Sequence, residues 1–575
     1  MTPEELRARA TELQRGGRLG EAAAAHLNLG GALMALGRYD EALASYEAAL
    51  ALRPDYVDAH NSRGIALRHL QRTSQALASF DRALELRPGA AELHNNRGNI
   101  LRRLQRLPEA LASFERAIAL QPRFAMAYNN RGLVLQGLRR YDEAAASYQR
   151  ALALQADYAD AYNNLGTLQY ELLEPAAALA SWRRALELQP CMSGLHGNLS
   201  NALRDLDRPG EALAESELAI REDPAAAVNH CNRGNALFDL ARFTEALASY
   251  DRALELDPSC ALARFNKGLC LLLAGEFAAG LPLYEWRKRL GSYPSFASPA
   301  PTWRGAEDIA GKTLLIHADQ ALGDTIQFCR YARLAASRGA RVVLAAQPQL
   351  RELLAGLGPG IRIVARDARP EAHDLHCPLM SLPLAFGTTL ADIPAGVPYL
   401  FSEPPRAARW RQQLGEEGFK IGIVWQGSRS HIDVGRSLPL EMFARLSTIP
   451  TVRLISLQKG APANELRAAS QDLGVELLGE TFDAGPQAFL DSAAVMMHLD
   501  LIITSDTALA HLAGALGRPT WVALKHVPDW RWLLERADCP WYPSVRVFRQ
   551  SHHGDWQGVF AAMQAELVAL VQPKV

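Results

Sequence analysis

The sequence predicts a chain in two parts, an α-helical solenoid of short repeats followed by an α/β region with two doubly wound lobes. In the first half, glycine recurs every 34 residues, and proline, alanine and aromatic positions keep the same step. A fixed period of this length is typical of repeat architectures. After residue 311 the pattern changes to short apolar runs that alternate with helical segments, which is typical of parallel sheets.

The repeated positions have separate packing roles within a helix–turn–helix unit. The glycine and the alanine allow two helices to approach closely, the aromatic residue fills the space between them, and the proline ends the second helix. We expect a helical lead-in at 1–22, about eight repeats at 23–290, and a terminal cap at 261–294. The glycine position comprises Gly30, Gly64, Gly98, Gly132, Gly166, Gly234 and Gly268, with Ser200 in the sixth repeat.

A polar position lies two residues before each glycine and holds asparagine in seven of the eight repeats. Asparagine is a mediocre helix former, so its recurrence in mid-helix predicts a role for the side chain. Stacked along one face, these amides would bind an extended peptide backbone without reading its sequence; alternatively, each amide would bond to the neighbouring repeat. The candidates for peptide binding are Asn28, Asn96, Asn130, Asn164, Asn198, Asn232 and Asn266.

The 34-residue unit resembles the tetratricopeptide repeat over about residues 23–290. A similar asparagine ladder is found in the tetratricopeptide superhelix of protein O-GlcNAc transferases. The resemblance therefore implies a polypeptide partner in the concave groove of the repeats.

The second half is predicted from its apolar runs. Segment 291–311 is rich in proline, serine and glycine, which is typical of a linker. We expect a first lobe at 312–400 and a second at 418–575, with ligands bound beyond the carboxyl ends of their strands. The predicted strands are 312–318, 341–346 and 361–366 in the first lobe, and 420–427, 452–458, 475–479, 501–506 and 520–524 in the second.

Composition excludes several classes of protein. Lys+Arg 61 and Asp+Glu 62 leave a formal charge of -1, which argues against a globally basic nucleic-acid-binding protein. The seven cysteines form no CxxC pair, so we expect no zinc site, no disulfide framework and a reducing compartment. We expect a cytoplasmic protein without a membrane span, because no secretory signal or long apolar segment is visible. The lack of GxGxxG, P-loop and HExxH patterns predicts no bound cofactor and no catalytic metal.

Polar residues cluster where predicted strands end. The first cluster follows the strand at 312–318 and contains Gln320, Gly323 and Asp324. A carboxylate that faces the cleft between the lobes would accept a proton from an acceptor hydroxyl. Alternatively, Asp324 caps the helix that begins beside it.

The second cluster follows the strand at 420–427. Its Gly–Ser turn exposes backbone N–H groups to an anion, and Arg436 adds charge for a phosphate. The alternative is an ordinary turn beside a surface arginine, and the glutamine that ends the next strand could contact a base or ribose. The candidate donor-binding residues here are Gln426, Gly427, Ser428, Arg436, Ser437 and Gln458.

The third cluster joins the strand at 501–506 to a helix whose free N–H groups would face a pyrophosphate. Asp506 suits a sugar hydroxyl, and Thr507 and His511 can face the same ligand. Alternatively, Asp506 caps the helix and His511 packs in the core. Aromatic residues and arginines at 529–549 could form a stacking platform, although packing of the second lobe is the commoner explanation.

The segments HADQALGDT, WQGS with a later RS, and SDTALAHLAGALGRPTW resemble bacterial heptosyltransferase-like glycosyltransferases linked to tetratricopeptide repeats, over about residues 311–570. The resemblance implies a GT-B fold with two Rossmann-like lobes and metal-independent, inverting transfer from a nucleotide sugar. It also implies that Asp324 is the catalytic base and that Arg436 binds phosphate. Asp506, Thr507 and His511 would bind the donor.

Three functions fit these observations. In the first, the repeats recruit a polypeptide, by analogy a flagellin or another surface protein, and the lobes transfer a sugar to Ser or Thr. In the second, a lipopolysaccharide or capsule glycosyltransferase docks to an assembly complex through its repeats. The third is a protein-binding scaffold with a decayed transferase half, against which the joint presence of Asp324, Arg436, Asp506 and His511 argues.

Overall fold

The computed structural model describes residues 2–291, 293, 296–368, 372–427 and 435–571. The chain divides into two compact units, Met1–Leu195 and His196–Val575. Within the described ranges, no helix is both long enough and apolar enough to cross a membrane.

The first unit is built from helices, each of which packs against the next along the chain. This confirms the predicted helical solenoid. The helices are α1 (Pro3–Arg15), α2 (Leu19–Ala35), α3 (Tyr39–Leu52), α4 (Val57–His69), α5 (Thr73–Leu86), α6 (Ala91–Arg103), α7 (Leu107–Leu120), α8 (Ala125–Gly137), α9 (Tyr141–Leu154), α10 (Ala159–Glu171) and α11 (Pro175–Leu188).

The repeated glycines allow the close contact between the helices of a pair. A Cβ atom added to Gly98 would lie 2.7 Å from the ring of Phe114, and one added to Gly132 would lie 2.5 Å from the ring of Tyr148. Both rings are fully buried, so they cannot retreat without opening a cavity. The glycine therefore serves the aromatic residue of its own repeat.

Two neighbouring glycines of α2 test this packing role. A Cβ atom on Gly30 would lie 2.3 Å from the Tyr46 ring, so Gly30→Ala should lower the stability of the first unit by about 1–3 kcal/mol. No heavy atom lies within 4 Å of a Cβ added to Gly31, so Gly31→Ala should be neutral or stabilise by up to about 1 kcal/mol. Thermal unfolding followed by circular dichroism measures both, and equal shifts would contradict the packing role.

The second unit begins with the remaining repeats. Its helices are α12 (Leu195–Asp205), α13 (Pro209–Glu222), α14 (Ala227–Asp239), α15 (Phe243–Leu256), α16 (Ala261–Leu273) and α17 (Phe277–Tyr284), and a 3₁₀ turn at Glu285–Arg289 follows.

The first lobe contains a parallel sheet of four strands in the order β3-β2-β1-β4. The strands are β1 (Thr313–His317), β2 (Arg341–Ala346), β3 (Ile361–Ala365) and β4 (Leu375–Pro378). The helices are α18 (Leu322–Phe328), α19 (Arg330–Ser337), α20 (Arg351–Leu354) and α21 (Leu382–Ala385), and α22 (Pro404–Leu414) leads to the second lobe.

The second lobe contains a parallel sheet of six strands in the order β10-β9-β8-β5-β6-β7. The strands are β5 (Phe419–Val424), β6 (Val452–Ser456), β7 (Glu476–Leu477), β8 (Leu501–Ser505), β9 (Thr520–Leu524) and β10 (Val545–Arg549). The helices are α23 (Ala444–Ser447), α24 (Ala463–Leu473), α25 (Leu490–Met496), α26 (Ala508–Ala515) and α27 (Trp556–Val571). These parallel sheets confirm the predicted α/β character.

Part of the segment predicted as a linker lies along the edge of the first sheet. The backbone N–H of Trp303 donates to the carbonyl of His376 (2.7 Å), and the N–H of His376 donates to the carbonyl of Pro301 (3.1 Å). The Phe296 ring stacks on His317, with ring centroids 3.8 Å apart. The proline and serine content that indicates a linker is equally compatible with an edge segment, because proline is tolerated at sheet edges.

The last repeat packs into both lobes instead of facing solvent as the expected terminal cap. Phe277 contacts Trp530 and Trp541 of the second lobe at ring-centroid distances of 5.8 and 6.3 Å. Tyr284 lies 6.0 Å from Trp530. Leu272 and Leu273 of α16 and the buried apolar residues of α17 share one hydrophobic core with both lobes. The expectation of a cap at 261–294 is therefore corrected, and this repeat is structurally part of the second half.

A buried ion pair fixes the same repeat to the first lobe. The Arg287 guanidinium donates to the Asp319 carboxylate (2.9 Å) and to the Ser381 hydroxyl (2.9 Å). The backbone N–H of Met380 and the Tyr293 hydroxyl also donate to Asp319, each at 3.1 Å. Because Asp319 lies between β1 and α18, this network holds the loop that precedes Asp324.

Candidate functional site

The two lobes meet where the first turn of α18 packs against α26. A Cβ atom added to Gly323 would lie 3.1 Å from Cδ2 of His511 and 3.2 Å from Cα of Ala508. A side chain at residue 323 would therefore push the helices apart. Gln320, in the same loop, is half-buried, and its backbone carbonyl accepts a hydrogen bond from the Gln347 amide (2.9 Å).

Asp324 makes two contacts of different kinds. Its Oδ2 accepts the backbone N–H of Ala321 (3.0 Å), which is the helix-capping contact that the sequence left open. Its Oδ1 pairs with Nη2 of Arg531 from the second lobe. Burial raises the pKa of Asp324 above its ordinary value, and the Arg531 charge opposes this rise.

Arg531 joins Asp324 to a second carboxylate. Its Nη1 donates to Oδ1 of Asp529 (2.7 Å), and its backbone N–H donates to the same oxygen (3.0 Å). Burial would raise the pKa of Asp529, but the Arg531 charge and these hydrogen bonds hold it below its ordinary value. Arg531 is thus a central residue of the site, which the sequence noted only within the aromatic segment 529–549.

Arg436 and Asp506 form a second ion pair at the carboxyl end of β8. Their Nη2 and Oδ2 atoms are 3.2 Å apart, and Nη2 also donates to the Asp506 backbone carbonyl. Burial raises the pKa of Asp506, and the Arg436 charge opposes this rise. This pair therefore brings two of the predicted donor-binding residues together.

The second ion pair borders a small cavity at the ends of β8 and β9. The cavity measures about 10 Å³, which corresponds to about one water molecule. A diphosphate can enter only if the surrounding side chains move. The lining residues are Arg436, Asp506, Ala523, Leu524, Lys525, Pro528 and Asp529.

The turn after β5 is held by Gln458. The Oε1 atom of Gln458 accepts the backbone N–H groups of Trp425 (3.1 Å) and Gln426 (2.9 Å), and its Nε2 donates to the carbonyls of Gln426 and Lys459, both at 3.0 Å. Gln458 therefore positions the turn, and its hydrogen bonds give no support to a contact with a base or ribose. Gly427 is half-buried in this turn, Ser437 is half-buried beside Arg436, and Ser428 lies outside the described residues.

His511 is buried between aromatic side chains. Its ring stacks on Trp532 with centroids 5.6 Å apart, and its Nδ1 lies 3.2 Å from the Tyr542 hydroxyl. Burial lowers the pKa of His511 well below its ordinary value, so the ring is neutral near pH 7. These contacts favour the packing alternative for His511. Thr507 precedes α26, with its hydroxyl 3.1 Å from that of Thr504.

The aromatic residues at 529–549 are core residues. Trp530, Trp532, Trp541 and Tyr542 are all buried, which supports packing over a stacking platform. Arg546 pairs with exposed Glu566, and Arg549 donates to the Leu533 carbonyl. Of the four arginines in the segment, Arg531 alone contacts the predicted catalytic carboxylate among the described residues.

The asparagine ladder of the first unit forms hydrogen bonds between repeats. Nδ2 of Asn96 donates to Oδ1 of Asn61 (3.0 Å), and Nδ2 of Asn130 donates to Oδ1 of Asn95 (2.9 Å). Asn164 donates in the same way to Asn129 (2.9 Å). The nitrogen thus bonds to the neighbouring repeat, as the alternative interpretation expected. The asparagines that accept these bonds, Asn61, Asn95 and Asn129, were missed in the sequence. Two of them, Asn95 and Asn129, begin visible Asn-Asn doublets.

The Oδ1 oxygens of Asn96, Asn130 and Asn164 are in a different situation from their Nδ2 nitrogens. Within the described part of the chain, no hydrogen bond uses Oδ1 of Asn96, Asn130 or Asn164, and none of these oxygens is a buried atom without a partner. Each oxygen therefore keeps some exposure to solvent, although Asn130 as a whole is buried. Asn28 is exposed on α2.

The ladder positions of the second unit differ from one another. Asn232 is buried and donates to the Gly197 carbonyl (3.5 Å), and Asn266 donates to Oδ1 of Asn235 (2.7 Å). Asn198 is half-buried on α12. Among the residues that the structure describes, no group of three or more His, Cys, Asp or Glu side chains could hold a metal ion.

Two family models match parts of the chain. Residues 451–524, from β6 to β9, match glycosyltransferase family 9 (heptosyltransferase). The matches to the tetratricopeptide repeat are residues 7–56, 27–91, 62–125, 95–159, 129–190 and 231–286. The chain thus contains segments that match the tetratricopeptide repeat and one segment, residues 451–524, that matches glycosyltransferase family 9 (heptosyltransferase).

Individual relatives cover parts of the chain. Protein FlbA of Caulobacter vibrioides is 28% identical over 291 residues, which are 47% of this chain and 48% of that protein. The chain thus spans about half the length of this curated relative. YrrB, whose crystal structure is described as that of a tetratricopeptide-repeat protein with an unusual peptide-binding site, is 28% identical in sequence to this chain. The match covers 32% of this chain and 95% of YrrB, with a TM-score of 0.29. A repeat protein of Thermus thermophilus is 29% identical, with coverages of 32% and 99% and a TM-score of 0.29.

Proposed function

We propose that the chain is an inverting, metal-independent glycosyltransferase that moves a sugar from a nucleotide-sugar donor to a Ser or Thr hydroxyl of a polypeptide bound by the repeats. One observation carries the proposal. Asp324 of the first lobe meets the cation of Arg531, while Arg436 lines the neighbouring cavity at the strand ends of the second lobe. A carboxylate beside clustered cations matches what transfer from a diphosphate leaving group requires.

The chemistry divides between the two lobes. Asp324 accepts the proton of the acceptor hydroxyl as its oxygen bonds to the anomeric carbon. The bond from that carbon to the nucleoside diphosphate breaks, and the diphosphate leaves with the electron pair. Arg436 and the backbone N–H groups at the start of α26, next to Thr507, offset the developing charge, a role that fixed dipoles and cations fill in closed sites.

The acceptor side of the proposal rests on the repeats. Asn96, Asn130 and Asn164 carry Oδ1 atoms without a hydrogen-bond partner among the described residues, in three successive repeats, which suits an extended peptide whose backbone N–H groups donate to them. Asn28, Asn198 and Asn266 are exposed or half-buried and extend the candidate set, whereas buried Asn232 supports contact between repeats. We propose a cytoplasmic site of action, a flagellin or other surface protein as acceptor, and no nucleic-acid partner.

A glycolipid acceptor is the second candidate, because the matching family is described as heptosyltransferase. A deletion strain separates the two. Loss of a sugar from cellular proteins supports the polypeptide acceptor, and loss from lipopolysaccharide with unchanged proteins would favour the glycolipid. A thermal-shift panel of nucleotide sugars on the full chain tests the donor, since a cognate donor stabilises by mass action. If no nucleotide sugar shifts the transition, the transferase proposal fails.

The pH dependence of transfer should report Asp324. Its ordinary pKa of 3.8 is raised by burial, so the base becomes protonated, and kcat/KM falls, at a higher pH than for an exposed aspartate. The acidic limb of the pH profile of kcat/KM should therefore lie above about 4. An acidic limb at or below this value in the wild-type chain would contradict a buried base.

A further inference from the structure

Both arginines near the cavity have an unsatisfied donor. Nε of Arg436 and Nε of Arg531 are buried and have no hydrogen-bond partner among the described residues. An unpaired buried donor of this kind is unfavourable, and more so when the group is charged. An anion in the cavity would lie beside Arg436, which lines it, and close to Arg531, which holds the lining residue Asp529.

The same arginines are already held by carboxylates. Arg531 lies between Asp324 and Asp529, and Arg436 pairs with Asp506. The cavity lining holds two cations, Arg436 and Lys525, and two carboxylates, Asp506 and Asp529, so its charges balance when every group is ionised. The adjoining Arg531–Asp324 pair is balanced as well. A doubly charged diphosphate would upset this balance, because buried charges without partners are strongly unfavourable. A phosphate oxygen that takes an Nη2 position displaces the carboxylate that occupies it.

Asp324 is the carboxylate best suited to be displaced. It belongs to the first lobe, whereas Arg531 and Asp529 belong to one turn of the second lobe and share two hydrogen bonds. The link between Asp324 and Arg531 is a single contact through Nη2, and Oδ2 of Asp324 retains the Ala321 N–H. Exchange of that one contact releases Asp324 without disturbing the second-lobe turn.

We propose that Asp324 and the donor diphosphate compete for Arg531. Donor binding transfers the Nη2 contact from the Asp324 carboxylate to a phosphate oxygen. Asp324, no longer neutralised by a cation, becomes a stronger base for the acceptor hydroxyl. This inference rests on the proposed function and adds to it an order of events, in which the base is released when the donor is in the site.

Competition makes a specific prediction about binding. Removing the competitor by Asp324→Asn should tighten nucleoside diphosphate binding by about tenfold, whereas Arg531→Gln should weaken it by a similar factor. In the Arg531→Gln background, Asp324→Asn should have no further effect, because the shared cation is absent. UDP, GDP, ADP and CDP are the probes, and isothermal titration calorimetry on the full chain measures the dissociation constants.

The controls distinguish a failure of the proposed competition from a failure of the proposed glycosyltransferase function. Asp538→Asn breaks the surface pair with Arg536 and should leave the dissociation constant unchanged. Arg531→Lys keeps the charge, should recover part of the binding, and serves if Arg531→Gln does not fold. If a nucleoside diphosphate binds but Asp324→Asn leaves the affinity equal or weaker, the competition is refuted and the transferase proposal stands. If none of the four binds to the wild-type chain, both fail.

Discussion

Replacing Asp324 with asparagine is expected to lower kcat for sugar transfer by about 10²–10⁴-fold, while nucleotide binding persists. The amide keeps the shape of the side chain but cannot take the proton of the acceptor hydroxyl. The measurement is the initial rate of nucleoside diphosphate release in the presence of acceptor, at saturating nucleotide sugar. Asp319→Asn is not a suitable control, because Asp319 is held by Arg287.

A better control for Asp324→Asn is Asp538→Asn, since the Asp538 side chain is exposed and pairs only with Arg536 among the described residues. Its rate should equal that of the wild-type chain. If Asp324→Asn also keeps the wild-type kcat, the carboxylate is not the base. In that case the hydrogen bond to Ala321 would represent its whole role, as a helix cap.

Changing Asn96, Asn130 and Asn164 together to alanine is expected to weaken the binding of a polypeptide acceptor by about 100-fold. Each lost hydrogen bond contributes roughly 1 kcal/mol, and three such losses correspond to a factor of this size. The expected result is a higher KM for the protein acceptor with an unchanged rate of donor hydrolysis. Acceptor-dependent transfer and donor hydrolysis are measured side by side.

A matched control removes the same hydrogen bonds by changing the asparagines that accept them. Asn61, Asn95 and Asn129 accept the bonds between repeats, so their joint change to alanine should disturb the repeats to a similar extent and retain the Oδ1 atoms proposed to bind the peptide. KM for the acceptor should then stay near the wild-type value. Equal increases of KM in the two triple variants would indicate that the asparagines only connect the repeats.

The repeats could be predicted from the sequence because their packing is local. Gly132 and Tyr148 lie in the two helices of a single repeat, and the glycine and aromatic positions that make this contact recur at the 34-residue step. The central strands could also be predicted from the sequence, because strands buried on both faces appear there as continuous apolar runs. β4 and β10 were missed because the apolar run LHCP is short and arginines interrupt VRVFR.

The partners of the site residues could not be predicted in this way. Asp324 and Arg531 are 207 residues apart and meet only because the two lobes pack against each other. The same limit applies to the last repeat, whose apolar residues fit a repeat core but are buried against both lobes. For Gln458, residue type and strand-end position suggested a ligand contact, yet the backbone of the adjoining turn uses both ends of its amide.

The most direct test of the central claim is intact-mass and peptide mass spectrometry of cellular proteins from a deletion strain complemented with the wild-type chain or with Asp324→Asn. The account predicts that a sugar mass on Ser or Thr is lost in the deletion strain. The wild-type chain should restore it, and Asp324→Asn should not. A protein fraction identical in all strains, with a sugar missing only from lipopolysaccharide, would contradict transfer to a polypeptide.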